Sequence, residues 1–354
     1  MSQASNAPGD AQDATYNALE RLFAANIDKV LDIEILPSLA DVPDGQLFFE
    51  DELGVGIPKK VLVNAFVKAR EIFAARSSNP SDQSYQDAIR ATPIMLLFDP
   101  EYLTAANFRK KHLLSIPRED EFRLAVKREM IFLDSVLTSP LHRQSKSPTL
   151  WFHRYWLATT ALRRLGPRDG LRLNHEMMII LRSAERHQHN YYAWQYARRL
   201  ISLLEPIMDE GESVGGRTHV TLLEETYTWC VQHPSDTSGW SFLLFLMRRP
   251  SPNIEYITAL VWKTAELTKS FKWNKEALWH FLRTVLLMTE IVPGDSRTQL
   301  IKSTGVKTIG QQLHGSGIDK ERVEEQRTAS SDLHLKLRVS KTRIPFKASS
   351  LSYK

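Results

Sequence analysis

The side chains best suited to chemistry are tryptophans, tyrosines, arginines and a lysine that recur at the starts of five predicted helices. The five clusters read DPEYLTAANFRK (99–110), KSPTLWFHRYW (146–156), NYYAWQYARR (190–199), HPSDTSGWSFLL (233–244) and NKEALWHFLR (274–283). A buried Trp removes a large apolar area from water, and an Arg presents a planar fork to carboxylates and carbonyls. The N-termini of such helices also offer N–H groups to anions. These clusters can therefore hold helices together and bind an anion at their ends.

The spacing of these clusters predicts the fold that positions them. Aligning them on Ala106, Trp151, Trp194, Trp240 and Trp279 gives steps of 45, 43, 46 and 39 residues. A period in the forties is typical of stacked helical hairpins. No alternating apolar and polar run stands between turn residues, so we expect no strand. The prediction is an all-α fold, a right-handed superhelix (α–α solenoid) of five or more helical hairpins.

Composition changes divide the chain into four predicted segments. These are a disordered N-terminus (1–12), N-terminal helices with an ordered loop (13–84), the repeats (85–295) and a basic, disordered tail (296–354). Apolar residues at helical spacing predict helices over 15–35 and 58–76, with the ordered loop between them at 35–58. The helices predicted between the clusters span 119–137, 171–187, 218–233 and 253–270. Three pairs of a capping residue and proline predict helix starts: Asp99-Pro100, Ser147-Pro148 and Ser251-Pro252.

The distribution of charge argues against a nucleic-acid-binding face. The isoelectric point is near 9.1 and the net charge is +5. Residues 302–354 carry a net charge of +6, which leaves residues 1–301 at about −1. Nucleic-acid binding needs a concentrated basic stripe on a folded surface. We therefore expect no nucleic-acid partner, although a basic tail can touch RNA or an acidic membrane.

Cysteine content and apolar runs restrict the compartment. The single cysteine, Cys230, excludes an internal disulfide framework and a thiolate-rich zinc site. No apolar run approaches the length that a membrane-spanning helix requires, and the first residues show no secretory signal. These observations predict a cytoplasmic protein with no transmembrane segment and no metal site of its own.

The five clusters resemble the α-subunit repeats of protein prenyltransferases, whose usual pattern is Asn-x-x-x-Trp, then an aromatic residue or His, then Arg. The resemblance is strongest to one branch, the prenyltransferase α-subunit repeat-containing proteins, on two grounds. Lys146, Ser147 and Pro148 precede the second Trp as in that branch, and LFFEDELGVG (47–56) resembles its segment ahead of the repeats. The similarity covers roughly residues 30–290.

This resemblance implies an α-type subunit of a protein geranylgeranyltransferase, specifically of the type III enzyme. Such a chain pairs with a prenyltransferase β subunit, and the Rab geranylgeranyltransferase β subunit is the expected partner. The reaction would transfer a C20 isoprenoid from geranylgeranyl diphosphate to a cysteine thiol near the C-terminus of an acceptor protein. This chain would carry no cofactor, because zinc is expected in the β subunit. The alternative is a non-catalytic helical scaffold that binds a protein or peptide on its concave face.

The resemblance also implies roles for individual residues. Lys146 matches the lysine that reaches the prenyl diphosphate, and Asn190, Tyr191 and Tyr192 match the rim of that site. The remaining matches are expected to hold the repeats together: Asn107, Arg109, Trp151, His153, Arg154, Trp194, Arg198, Trp240, Trp279 and Arg283. Several positions depart from the family pattern. Ala106 replaces a Trp, Pro148 replaces a rim tyrosine, and Ala197 and Leu243 replace arginines.

Overall fold

The computed structural model describes residues 8–40, 42–43, 45–52, 54–208, 219–249, 254–288 and 291–304. Over these residues the chain is an all-α helical-repeat superhelix with a small sheet near its N-terminus, as the repeat period predicts. The helices are α1 (Pro8–Ala25), α2 (Lys59–Ser78), α3 (Asp82–Phe98), α4 (Leu103–Leu114), α5 (Glu119–Leu137), α6 (His142–Ser145), α7 (Pro148–Gly170), α8 (Leu173–Arg186), α9 (Tyr191–Met208), α10 (His219–Gln232), α11 (Thr237–Met247), α12 (Ile254–Ser270), α13 (Glu276–Leu287) and α14 (Gly294–Thr304).

The aromatic clusters lie on one layer of helices. Helices α4, α7, α9, α11 and α13 carry the clusters, and each packs against the next in that order. The intervening helices α5, α8, α10, α12 and α14 form the other layer, in which α5 contacts α8 and α12 contacts α14. The seam between the layers is filled by large buried side chains such as Trp194, Trp240 and Phe281. This arrangement places the N-termini of the cluster helices along one edge.

The predicted ordered loop (35–58) and the end of the helix predicted over 15–35 form a three-stranded sheet, so the expectation of no strand was wrong, and α1 ends at Ala25. Its strands are β1 (Asp32–Leu36), β2 (Phe49–Glu50) and β3 (Gly54–Pro58) in the order β1-β3-β2, with β1 parallel to β3 and β2 antiparallel to it. The signal was a short alternation: Ile33 is buried and Glu34 is exposed, while Val55 and Ile57 are buried in β3. In β1 this period of two falls at the end of the helix predicted over 15–35, where it was interpreted as part of the helical pattern.

The sheet is anchored to the repeats by polar contacts of two adjacent residues, Leu31 and Asp32. The backbone N–H of Leu31 donates to Ser135 Oγ at 2.9 Å. The carboxylate of Asp32 accepts two hydrogen bonds from the guanidinium of Arg186, each of 2.5 Å. Because Arg186 ends α8, this pair ties the sheet to the second repeat.

Three predicted boundaries require correction. Helix α1 begins at Pro8, inside the segment predicted to be disordered, because proline suits the first helical turn and Asp10 complements the helix dipole there. Helix α14 covers the start of the predicted tail, whose remainder (305–354) lies outside the described residues. Helix α4 begins at Leu103, so Asp99 ends α3 instead of capping α4. The predicted start at 251–252 also lies outside the described residues.

Candidate functional site at the edge between the second and third repeats

A capping residue stands four positions before the aligned tryptophan in three repeats. The side chains of Ser147, Asn190 and Asp236 accept hydrogen bonds from the backbone N–H three residues further on, at 3.1, 3.3 and 2.9 Å. This is the expected N-cap geometry, in which a side chain satisfies an N–H that lacks a partner inside the helix. The start of each of these helices is therefore fixed by a side-chain hydrogen bond.

The tryptophan side chains stabilise the same helix starts by hydrogen bonds to the preceding loop. The indole N–H donates to the carbonyl six residues earlier in three repeats: Trp151 to Ser145 at 2.7 Å, Trp240 to Pro234 at 3.2 Å and Trp279 to Trp273 at 3.1 Å. Trp194 is fully buried, but its indole nitrogen has no hydrogen-bond partner among the described residues. The third repeat thus lacks this hydrogen bond.

Lys146 and Ser147 reach the neighbouring repeats on either side. Lys146 Nζ donates to the carbonyl of Gln188 at 2.9 Å, which is the carbonyl six residues before Trp194. Ser147 Oγ donates to Glu101 Oε1 and lies 3.2 Å from the carbonyl of Pro100, which is six residues before Ala106. In the third repeat, whose tryptophan has no indole hydrogen bond, Lys146 of the second repeat therefore supplies the donor.

The loop before α9 brings the predicted rim residues next to Lys146. The N–H of His189, which has a φ of 59°, donates to Asp236 Oδ2 at 2.6 Å. The Asn190 amide donates to the carbonyl of Ser145 and to Ser183 Oγ, each at 3.0 Å. Asn190 is fully buried, so its predicted place on the diphosphate rim is wrong. Its amide oxygen caps α9, and its amide nitrogen donates these two hydrogen bonds.

Tyr191 and Tyr192 are exposed at the first turn of α9. Their rings meet edge to face with centroids 5.4 Å apart, and their exposed fractions are 56% and 38%. Since Lys146 holds the carbonyl of Gln188, only two residues separate its acceptor from Tyr191. The structure thus places Lys146 and the two tyrosines at one edge, where the N-termini of α7 and α9 meet.

An aromatic groove leads from this edge along α7 and α9. Its volume is about 360 Å³. One wall consists of side chains of α7 and the other of side chains of α9, at helical spacing. The lining residues are Pro148, Trp151, Phe152, Tyr155, Tyr191, Tyr192, Gln195, Tyr196 and Arg199. The groove runs two helical turns along α9, from Tyr191 to Arg199.

A buried ion cluster supports the floor of this groove. Arg154 is fully buried and donates to both oxygens of Glu176, at 2.7 and 3.0 Å, and to Asp134 Oδ1 at 2.5 Å. The hydroxyl of Tyr196, a residue of the groove, donates to Glu176 Oε2 at 2.6 Å. His175 Nε2 lies 2.6 Å from Asp134 Oδ2. One arginine therefore joins α5, α7 and α8, and the tyrosine adds α9.

The pKa values in this cluster favour a charged Asp134 and Arg154 and a neutral Tyr196. Burial raises the pKa of Asp134, but the charge of Arg154 and the His175 hydrogen bond outweigh burial and hold it below its usual value. Burial lowers the pKa of Arg154, yet the two carboxylates raise it well above its usual value. Burial, and then Glu176, raise the pKa of Tyr196, so its hydroxyl remains a donor.

The first repeat holds a smaller version of the same cluster. Arg109 donates to both oxygens of Glu129, at 2.8 and 2.5 Å, and to Thr92 Oγ1 at 2.7 Å. His153 Nε2 lies 3.2 Å from Glu129 Oε1. Burial would raise the pKa of Glu129, but Arg109 outweighs it and the pKa is lowered. His153 is fully buried, and burial lowers its pKa.

Sequence reasoning missed the acidic partners in both clusters. Glu129 and Glu176 stand 47 residues apart, and each follows the arginine that it binds by about 20 residues. An arginine predicted to be buried needs a carboxylate, so the shared spacing was the available signal. Asp134 precedes Arg154 in the chain, so the spacing from an arginine to a following glutamate did not reveal it.

The remaining predicted structural residues differ in their contacts. Arg198 donates to Ser241 Oγ at 2.8 Å, and so links α9 to α11. Arg283 donates to the carbonyl of Trp279 in its own helix at 3.2 Å. Asn107 is exposed and has no hydrogen bond to another described residue. Its predicted structural role is wrong, because its side chain is exposed and the N-cap position of α4 belongs to Tyr102, which makes no side-chain cap hydrogen bond.

Across the described ranges, no group of three or more His, Cys, Asp or Glu side chains could hold a metal ion. No helix in the same ranges has the length and apolar character needed to cross a bilayer.

The fold and this edge together define an α-helical repeat chain with a cation and aromatic side chains at its helix N-termini. Comparison with known proteins gives one family model and two distant relatives. Residues 151–270 match the family model of the ECM9 middle domain. The chain is 22% identical over 272 residues to the geranylgeranyl transferase type-2 subunit alpha of Dictyostelium discoideum, covering 64% of this chain and 80% of that protein. It is 25% identical over 254 residues to Protein ECM9 of Saccharomyces cerevisiae, covering 68% of this chain and 59% of that protein. The chain is thus distantly related to a prenyltransferase α subunit.

Proposed function

We propose that this chain is the α-type subunit of a heterodimeric protein geranylgeranyltransferase. The proposal is supported by the similarity to a geranylgeranyl transferase type-2 α subunit over most of that protein's length. The observation that carries it is the position of Lys146, whose ammonium lies beside the loop that leads into Tyr191. The partner would be a prenyltransferase β subunit, with that of the Rab geranylgeranyltransferase as the first candidate.

The chemistry requires a cation at this edge. In prenyl transfer the acceptor sulfur forms a bond to the first carbon of the isoprenoid. The bond from that carbon to the diphosphate oxygen breaks, and the diphosphate departs with the electron pair. Negative charge therefore builds on the leaving oxygens. A positive group placed there stabilises the transition state by about 3–4 kcal/mol if it acts as a typical single electrostatic donor.

Lys146 and its surroundings fit that task. Its only described hydrogen bond is to a neutral carbonyl, that of Gln188, which a diphosphate oxygen can replace as the stronger, charge-assisted acceptor. The N-terminus of α7 directly follows and adds its dipole. Tyr191 and Tyr192 present hydroxyl groups at the same edge. The zinc ion that such an enzyme requires, and most of the isoprenoid pocket, would belong to the β subunit.

The test is co-expression with the Rab geranylgeranyltransferase β subunit, followed by size-exclusion chromatography and transfer of labelled geranylgeranyl to protein. We expect a 1:1 complex that transfers the label. Lys146→Gln keeps an amide that can donate to Gln188 but removes the charge, and we expect kcat to fall about 100- to 1,000-fold. Lys111→Gln, the same change at an exposed lysine of α4, is the matched control and should leave kcat unchanged.

Two outcomes would contradict parts of this proposal. If no complex forms with any prenyltransferase β subunit, the enzyme proposal fails and the peptide-binding scaffold replaces it. If the complex is active and Lys146→Gln matches the wild type, the subunit assignment stands but the role of Lys146 is wrong.

A further inference from the structure

The aromatic groove between α7 and α9 has chemistry that diphosphate binding does not use. Its walls are rings at helical spacing, and Phe152 and Tyr191 are each more than half exposed. Gln195 contributes the one side-chain amide in the groove, midway along its length. Aromatic grooves of this kind bind extended peptides, because the rings cover apolar side chains while an amide pairs with the peptide backbone.

The far end of the groove carries a positive charge with no counterion among the described residues. The guanidinium of Arg199 lies 5.8 Å from the centre of the Tyr155 ring. Within the described ranges Arg199 forms no ion pair and no hydrogen bond. Arg198, the adjacent residue, is satisfied by Ser241 and by two phenylalanine rings. Arg199 is therefore available to a carboxylate of a bound molecule.

The length of the groove relates this charge to the edge where Lys146 lies. Tyr191 and Arg199 are eight residues apart on one helix, which corresponds to about 12 Å. An extended peptide covers that distance with about four residues. A cysteine held near Lys146 and Tyr191 would therefore bring a carboxylate about four residues away to Arg199.

We propose that this groove binds an extended segment of the acceptor protein, with an acidic group about four residues from the modified cysteine paired to Arg199. The inference rests on the proposed function for the identity of the bound protein, but the groove and its charge stand independently of it. An isoprenoid chain suits the groove less well, since its hydrocarbon end would cover the Arg199 guanidinium without a partner, and burying an unpaired charge is costly.

Binding by the full-length chain alone tests the groove. The probes are fluorescein-labelled nine-residue peptides of Ser, Val and Leu with one Cys and one Glu, the Glu placed two, four or six residues from the Cys on either side. Fluorescence anisotropy gives Kd for each. We expect the four-residue spacing on one side to bind best, and replacing its Glu by Gln to weaken binding about tenfold, as expected for loss of a charge-assisted hydrogen bond.

The variants locate the charge that causes this preference. Arg199→Gln should remove the difference between the Glu and Gln peptides, and Arg199→Lys should retain part of it. Arg163→Gln, which changes an exposed arginine of α7 outside the groove, should leave it intact. Circular dichroism of each variant checks that the fold is unchanged.

The outcomes separate this inference from the proposed function. If the Glu and Gln peptides bind the wild-type chain equally, the groove is not an acceptor site. In the active complex, Arg199→Gln should raise KM for the acceptor at least fivefold with kcat unchanged, whereas Lys146→Gln lowers kcat. If the peptides bind as expected but no β subunit does, the groove inference stands and the enzyme proposal fails.

Discussion

The second and fourth repeats fill equivalent core positions with opposite chemistry. Two and three residues after the aligned tryptophan, the second repeat carries His153 and Arg154, each facing carboxylates. The fourth repeat carries Phe242 and Leu243 at these positions, both fully buried among apolar side chains. The backbone positions and the burial are the same in both repeats. The repeat geometry therefore requires neither the charged side chains nor the apolar ones.

The third repeat lies at the transition between the two. Tyr196 still reaches Glu176 with its hydroxyl, but Ala197 replaces the arginine and calls for no carboxylate on α10. The ring contact between successive repeats is retained: each tryptophan packs against the aromatic residue that stands two positions after the tryptophan of the next repeat. Trp151 meets Tyr196 at 5.4 Å, and Trp194 meets Phe242 at 5.2 Å between ring centroids. The third repeat thus keeps the aromatic position of the second repeat's cluster without its arginine.

The repeats with buried arginine–carboxylate pairs, the first and second, are the ones that lie under the proposed site. Arg154 joins α5, α7 and α8, and Tyr196 joins the same cluster to the groove on α9. Buried ion pairs contribute little net stability relative to apolar packing, but they are satisfied by one geometry alone. We infer that they fix the relative positions of α7 and α9, where Lys146, Tyr191 and Arg199 must act together.

The largest expected effect comes from removing the arginine of the buried ion cluster in the second repeat. Arg154→Met leaves Asp134 and Glu176 buried without a counterion, and should lower the free energy of unfolding by about 3–5 kcal/mol. Urea denaturation followed by circular dichroism measures this. The control is Arg283→Met in the fifth repeat, where the guanidinium binds one carbonyl of its own helix; we expect a loss below about 1 kcal/mol. Equal losses for the two variants would refute the distinction between the regions.

An exchange of one hydroxyl between equivalent positions sharpens the comparison. Tyr196→Phe removes the hydrogen bond to Glu176 and should cost about 1.5–3 kcal/mol, since the acceptor is charged. Phe242→Tyr places a hydroxyl in a fully buried apolar site and should cost about 1–3 kcal/mol for the unsatisfied group. Both variants should therefore unfold at lower urea concentration than the wild type. If Phe242→Tyr is as stable as the wild type, the fourth repeat tolerates polar groups and the contrast is overstated.

The sequence predicts this architecture well where the signal is periodic. The repeat period predicts the helical layers, and the helix predicted over 119–137 has the observed bounds of α5. The sheet escaped because Ile33 and Ile35 continue an apolar pattern that also suits a helix, and five residues are too few to distinguish the two periods.

The site was only partly predictable for a different reason. Lys146 and Tyr191 stand beside recognisable capping and tryptophan positions, so their meeting at one edge follows from the repeat. Asn190 was misassigned because a polar residue next to a tyrosine suits a rim as well as an N-cap. The groove depends on Phe152 and Arg199, which belong to different repeats and have no motif in common. Their proximity is a product of packing between α7 and α9.

The smallest expected effect is a pH dependence confined to the ionic region. The hydrogen bond to Asp134 raises the pKa of His175 in the folded chain. A raised histidine pKa contributes stability that is fully present below the unfolded value of about 6.5 and is lost as the pH rises through the folded value. The difference in Tm between the wild type and His175→Gln should therefore be largest below pH 6 and should shrink towards pH 8.

A variant of the apolar region supplies the control for this titration. Phe242→Tyr adds no group that titrates between pH 5 and pH 8, so its Tm difference from the wild type should not change with pH. Asp134 acts in the opposite direction at lower pH, because its lowered pKa contributes stability that is lost on acidification. A His175→Gln difference that is constant from pH 5 to pH 8 would show that the imidazole contributes to this cluster by packing alone, and not as the charged partner of Asp134.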